Sequence, residues 1–437
     1  MEHIGPSRRI SPHRRAATHG GIPASAAERT MTDSTSARVA SRRAVAWNPQ
    51  DRNLPIGYLR AFVTAMVLAH HAVLAYCSFA PPQARFAASP GLWQAYPIVD
   101  ARRWKGFDPF VGYNDMFFMA LMFFLSGLFV WGSLRRKGAS VFMHGRLMRL
   151  GLPFVAAAAV IAPLAYYPTY LAAGFANPNP AGFFRWWLAT GNWLAGPAWF
   201  IWVLLAFGCV AAGLFKAFPH WAERTQGRFP SVFRRPSAFF GALAAASIVS
   251  YLPMALAAGP SGWTSCGPFA FQTSRLPLYA TWFFAGICAG ACSGRDSVLA
   301  PGGALARTWL GWLGWSASCF GVLTIVTHPA IRSAHSIGWD AIEAVAWAVS
   351  CTAASLLALA LFLRFANKRV MALDSLADNA YGIYLIHYAF VTWFQYALLR
   401  APLPGAVKGC LATLGALGLS WAAVGALRRF SAIRRIV

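Results

Sequence analysis

The sequence predicts an all-α polytopic integral membrane protein with about ten transmembrane helices and both termini cytoplasmic. Three observations carry this expectation. Hydrophobic residues make up 57% of the chain and charged residues only 12%, against roughly 25% charged in a soluble domain. Apolar runs long enough to cross a bilayer recur along nearly the whole length. The basic residues fall in short clusters between those runs, as orientation by loop charge requires.

The same placement decides what the charge means. A formal net charge of +25, from 38 Lys+Arg against 13 Asp+Glu, would suit nucleic acid if it formed one basic face. Distributed between apolar runs, it points to membrane lipid as the partner and away from nucleic acid. The eight cysteines, such as Cys288 and Cys292, lie mostly within or beside apolar stretches without histidine partners. They read as small buried apolar residues, and no metal site is expected.

Residues 1–50 are rich in Arg, Ser, Ala and Pro and contain no apolar stretch, which predicts a disordered basic cytoplasmic tail. Paired arginines in "SRRISPHRR" have no apolar run close behind them, so no cleaved signal is expected. Residues 51–437 then form the transmembrane domain. Its ten spans are placed at about 55–77, 113–134, 150–174, 196–216, 237–258, 275–294, 305–327, 339–363, 380–399 and 404–427. Arg135, Arg136, Lys137, Arg146 and Arg149 separate the second and third; Pro153 just inside the third suits a helix start. Lys216, Arg224, Arg228, Arg234 and Arg235 follow the fourth. Arg295 and Arg307 bracket the turn after the sixth, and Arg364, Lys368 and Arg369 follow the eighth. Arg428, Arg429, Arg434 and Arg435 close the chain, so all these clusters share the cytoplasmic side. The opposite connections, 78–112, 175–195, 259–274 and 328–338, are aromatic and rich in Pro and Gly. Arg85, Arg102, Arg103 and Lys105 in the first of them are exceptions to the charge rule. Tryptophans gather near span ends in "FFRWWLATGNW" and "GWLGW", as an interfacial belt does.

Ionisable residues inside apolar runs are costly and mark function. In "LRAFVTAMVLAHHAVLAY" (59–76) His71 follows Arg60 by eleven positions. At about 100° per residue this is three turns plus about 20°, so both share one helix face, about 16 Å apart along the axis. His70 points about 80° away. An imidazole titrating near neutrality can take a proton from a hydroxyl and later return it. The alternatives stand beside this reading: Arg60 as a snorkelling flank charge, His71 as a packing residue. In "HGRLMRLGLPF" (144–154), Arg146 and Arg149 are adjacent on one face, and a guanidinium pair suits a polyanion such as coenzyme A. Asp115, Asp340 and Glu343 stand near span ends, where they could orient sugar hydroxyls. His387 in "YGIYLIHYAF" has Tyr381, Tyr384 and Tyr388 nearby.

These stretches resemble the acyltransferase 3 family of membrane O-acyltransferases. The likeness begins with "YLRAFVTAMVLAHHAVLAY" and continues through "FFMALMFFLSGLFVWGSLRRKG", "GRLMRLGLP", "GPAWFIWVLL" and "LADNAYGIYLIHYAF". "PAWFIWVLL" and the long first outer loop are similar to the branch that includes glucans biosynthesis protein C. The resemblance implies His71 as catalytic histidine with Arg60 as its helix partner, and Arg146 and Arg149 as the acyl-CoA-binding pair. His387 joins them as a candidate donor contact, and Asp115, Asp340 and Glu343 as candidate acceptor-binding residues. It further implies acetyl-CoA or succinyl-CoA as co-substrate with no permanently bound cofactor, a carbohydrate acceptor, and a bacterial inner membrane location. One departure is the lack of an acidic residue near "PAWFIWVLL". The rival reading is a transporter or flippase for an amphiphilic anion, using the same arginines as a track; the absence of an internal repeat weighs against it.

Overall fold

The structure, a computed structural model, describes residues 54–82, 95–174, 178–189, 193–292, 297–329, 331 and 336–436. The tail expected over 1–50, and Arg85 and Arg295, lie outside the described residues. The folded unit, Asn53–Val437, opens with α1 Leu54–Val73, α2 Phe107–Gly127, α3 Val130–Arg146, α4 Leu152–Ala156 and α5 Ala162–Ala172. Next come α6 Pro180–Ala189, α7 Trp199–Ala217, α8 Trp221–Arg228, α9 Pro230–Arg234 and α10 Pro236–Ala258. A two-stranded antiparallel hairpin, β1 Trp263–Cys266 with β2 Phe269–Gln272, separates α10 from α11 Leu276–Ala291. The chain ends with α12 Ala304–Arg307, α13 Trp309–Thr327, α14 Ile337–Phe365, α15 Met371–Leu398, α16 Gly405–Leu427 and α17 Ser431–Ile436.

The helical class holds, and the hairpin is what the apolar runs did not announce. Among the described residues eight helical stretches are long and apolar enough to cross a membrane: 54–76, 107–127, 130–172, 196–217, 236–258, 309–327, 337–365 and 405–427. The other two expected spans are helices that fall short of that standard for different reasons. α11 has 16 residues. α15 has 28, but its apolar run is diluted by His387, Gln395 and the tyrosines Tyr381, Tyr384, Tyr388 and Tyr396. The second span starts at Phe107, six residues before the expected 113, because the Phe-rich run extends past Tyr113.

Two local devices shape the bundle. α3 is broken at Gly138, whose φ of 74° and ψ of 165° belong to a region open only to glycine. The chain turns there after "LRRK", so the third span begins before the expected residue 150. The packing of α11 on α2 is closer than usual. A Cβ added at Gly286 would collide with the carbonyl oxygen of Phe124, one at Gly290 with that of Leu128, and one at Gly127 with that of Phe283. Lipid supplies no hydrophobic drive between helices, so such contact of backbones through small residues holds them together.

Beyond the Val73 end of α1 the loop residues Ala80 and Val99 pack with Tyr166, Tyr170, Phe183 and Trp187 of α5 and α6. This aromatic lobe also takes in Tyr388 of α15, and so covers one side of the candidate site.

Candidate active site

α1 and α15 run side by side in the same direction. Tyr58 donates to Asp374 Oδ1 at 2.9 Å near their starts, and Gln395 donates to the carbonyl of His71 near their ends. This pairing sets His71 against His387, with ring centroids 5.6 Å apart and planes inclined by 31°. Tyr388 meets the His71 ring edge-on at 5.1 Å, and Tyr166 of α5 lies against Tyr388 at 5.7 Å.

His387 is 1% exposed, and its Nδ1 lies 2.7 Å from the carbonyl oxygen of Tyr384. A carbonyl only accepts, so Nδ1 carries the proton and Nε2 presents a lone pair. That Nε2 and His71 Nδ1 are both buried without a hydrogen-bond partner. Orphaned buried nitrogens cost about 1–3 kcal/mol each, and such groups call for a ligand or a reacting group to satisfy them.

His71 stands in the last α-helical turn of α1, because regular helix stops at Val73 and tightens into a 3₁₀ turn, Leu74–Tyr76. Arg60 is exposed near the Leu54 end, and its carbonyl accepts from Thr64 Oγ1. About 16 Å of helix separates it from His71, too far for direct contact. His70 turns the other way, to Phe118 of α2, with ring centroids 5.2 Å apart.

Arg146 ends α3 and Arg149 sits in the π-helical turn Leu147–Gly151. Prolines explain this irregular third span. Pro153 has no N–H, which strands the carbonyl of Arg149 four residues back; the hydroxyl of Tyr381 donates to it. Pro168 likewise strands Leu164, whose carbonyl accepts from Trp393 Nε1 at 3.1 Å. In the π turn Ala157–Ile161 the carbonyl of Ala158, five residues before Pro163, accepts from Trp193 Nε1 at 2.8 Å. Side chains thus replace the bonds the prolines remove, and the bulged helix is fastened to α15. Arg146 is half-buried, packs over Phe142 at 5.1 Å, and has Arg149 and Tyr381 as its ionisable neighbours. Arg149 is exposed.

A narrow apolar cavity lies between the bulged span, the start of α7 and α15. It is lined by Ala157, Ala165, Pro197, Ile201, Tyr384 and Tyr388 among others. Tyr388 separates this space from His71, while Tyr381, one turn before Tyr384, holds the arginine turn. Tyr381 and His387 are six residues apart, about 9 Å along the helix. The cavity thus lies beside the stretch of α15 that carries both Tyr381 and His387, although neither histidine nor either arginine lines it.

Two of the acidic candidates, Asp115 and Glu343, belong to a second polar cluster. Asp115 accepts from Arg275 at 2.7 Å on Oδ2 and at 3.1 Å on its backbone oxygen. Arg275 is 5% exposed and its guanidinium lies 4.5 Å over the ring of Trp347. Glu343 precedes Trp347 by one turn of α14, and Tyr251 has Arg275, Asp115 and Glu343 as charged neighbours. Asp340 is half-buried one turn before Ala344. The same Asp115 and Arg275 are the charged neighbours of His70, so the adjacent histidines face two different polar clusters. Sequence reasoning passed over Arg275, whose position at a span end marked it, and Gln395, which nothing in "WFQYAL" marks. Among the described residues no three His, Cys, Asp or Glu side chains are grouped to hold a metal.

The sequence profile of the acyltransferase 3 family, described as an acyltransferase domain, matches residues 54–425. No curated protein and no solved structure matches the chain. A match over that length, on a bundle of helices apolar enough to cross a membrane, shows that the chain belongs to the acyltransferase 3 family and is a membrane acyltransferase.

Proposed function

We propose that the protein moves an acetyl or succinyl group from cytoplasmic acyl-CoA to a hydroxyl of an extracytoplasmic glycan, in a bacterial inner membrane. The observation that carries this reading is the buried pair His71 and His387, each with an unpartnered nitrogen, on the α15 stretch whose Tyr381 holds the Arg146–Arg149 turn. Arg146 and Arg149 take the phosphates of the donor, and the pantetheine arm runs along the cavity beside Tyr384. Arg60, exposed on α1, adds positive charge on the donor's side. Asp115, Glu343 and Asp340 hold hydroxyls of the sugar near His70.

The chemistry follows from the imidazoles. His71 takes the proton of the acceptor hydroxyl as its oxygen bonds to the thioester carbonyl carbon. The tetrahedral intermediate collapses with cleavage of the carbon–sulfur bond, and the proton passes from imidazolium to the departing thiolate. His387, oriented by Tyr384, lies beside this ring and stabilises its charged form through Nε2. The aromatic lobe of Tyr166, Phe183 and Trp187 limits water, which would otherwise hydrolyse the thioester.

The test uses the full chain in membranes with labelled acetyl-CoA or succinyl-CoA, together with mass spectrometry of envelope polysaccharides from cells with and without the protein. Label in glycan ester, lost on His71→Ala, supports the reading. Normal acylation in that variant, or loss of solute movement without loss of acylation, overturns it. Glucans of the periplasm are the first acceptors to examine, given the likeness of "PAWFIWVLL" to the glucan-modifying branch.

A further inference from the structure

Gln395 lies on α15 two turns beyond His387 and is 1% exposed. Its Nε2 donates to the carbonyl oxygen of His71 at 2.9 Å and to that of Ala72 at 3.0 Å. The orientation of this carboxamide is forced, because reversing it would set its oxygen against two carbonyl oxygens. Its own Oε1 is buried and has no partner.

The carbonyls need this donor for a local reason. Where α1 tightens into the 3₁₀ turn Leu74–Tyr76, the N–H groups of the last turn reach back three residues instead of four. Carbonyls at the junction lose their regular partners. The junction falls at His71, so whatever satisfies these carbonyls also fixes the rotation of α1 at the imidazole. Gln395 does so from the helix that carries His387 and Tyr388. One side chain thus links the end of α1 at His71 to the helix that carries His387.

We propose that Gln395 is the positioning residue of His71, its carboxamide nitrogen holding the end of α1 in the rotation that sets His71 against His387. This rests on the acyl-transfer reading above. A misplacement of about 1 Å at a reacting group can cost about 10²-fold in rate, and that is the expected effect of Gln395→Met, which keeps the length and removes both donated bonds. Gln395→Glu separates positioning from simple packing. A protonated carboxyl can donate one of the two bonds and a carboxylate can donate none. The glutamate variant is therefore expected to transfer acyl groups at low pH and to lose activity as pH rises, relative to the parent protein at each pH. A packing role would give both variants the parent's pH profile.

The second readout needs no acceptor. Diethyl pyrocarbonate acylates neutral imidazole, and peptide mass spectrometry of the intact detergent-solubilised chain reads each histidine separately. In Gln395→Met the rate at His71 is expected to change several-fold while those at His70 and His387 hold. Equal rates at His71 in variant and parent, or equal shifts at all three histidines, overturn the proposal. Absence of acyl transfer in the parent protein would count against the functional reading instead, and leaves this labelling comparison decisive for Gln395.

Discussion

Gln395 reaches His71 at its backbone rather than at its imidazole: the carboxamide of Gln395 donates to the carbonyl of His71 at 2.9 Å. The imidazole is left with its Nδ1 buried and unpartnered, 5.6 Å from the ring of His387. Reactive groups are commonly held this way. The support comes from behind, and the reacting atoms are left unsatisfied until substrate arrives.

Removing either imidazole tests the pair. A general base contributes about 10²–10⁴-fold, so His71→Ala is expected to lower initial rates of label transfer from acyl-CoA by that range. His387→Ala, which removes a neighbour of the base, is expected to cost less. Elution from a sizing column in detergent and acyl-CoA binding should match the parent in both. Parent-like transfer by His71→Ala would remove the imidazole from the mechanism.

Tyr381 and Pro153 should be coupled. Tyr381→Phe leaves the Arg149 carbonyl without its donor, a loss of about 1 kcal/mol, and is expected to weaken acyl-CoA binding by about 5-fold at nearly unchanged kcat. Arg149→Ala removes a charged contact worth about 1.5–3 kcal/mol and is expected to weaken binding further. Pro153→Ala returns an N–H to the helix, so Tyr381→Phe on that background should cost little. Calorimetric binding of acyl-CoA to the four proteins of this cycle measures the coupling; additive losses would show that the carbonyl is not the link.

Apolar run length placed the spans, and the eleven-residue interval from Arg60 to His71 picked out the histidine that faces His387. The neighbours of that histidine were not legible. Nothing local tells α1 that its partner is α15 running in the same direction, so Gln395 passed as an ordinary polar residue in "WFQYAL". The end of the first span falls within a residue of the expected one, 76 against 77, but the tightening at Leu74 lies inside an unbroken apolar run and was not legible. Prolines 153, 163 and 168 were visible, but only the fold shows that Tyr381, Trp193 and Trp393 satisfy the carbonyls they strand. Asp115 and Glu343 were legible as polar residues at span ends, whereas the buried Arg275 that pairs with Asp115 belongs to a turn remote in sequence. The spacing "GICAG" was an unused sign of close helix packing.

That spacing gives a stability prediction. Gly286→Val or Gly290→Val places side-chain atoms where the carbonyls of Phe124 and Leu128 already lie, and backbone cannot yield as a flexible side chain does. α11 must then move off α2. Overpacking of this kind costs about 1–3 kcal/mol, and both variants are expected to unfold at lower temperature in detergent. Gly213→Val, where an added Cβ meets nothing within 4 Å, is the control; equal melting of all three would mean that the α2–α11 contact contributes no stability.

The last prediction concerns the loop that closes over the Val73 end of α1. Lys408 donates to Asp100 Oδ2 at 2.7 Å and to the carbonyl of Leu399 at 3.1 Å, and the two charged side chains are 1% and 2% exposed. Asp100 also accepts from the backbone N–H of Arg102, and its own N–H donates to the carbonyl of Ala75. Asp100 therefore ties α16 to the loop through its carboxylate and to the turn just after His71 through its backbone N–H. Breaking a buried pair from one side leaves an uncompensated charge and costs about 3–5 kcal/mol, while replacing both partners by apolar groups can be nearly neutral. Lys408→Met is expected to lower thermal stability strongly, and Asp100→Leu added to it to recover most of the loss. Acyl transfer should follow a different course: the double variant, folded but without the tie between loop and α16, is expected to hydrolyse acyl-CoA faster relative to transfer than the parent does. Free acid released per ester formed is the quantity to measure, and an unchanged ratio would separate this tie from the exclusion of water at His71.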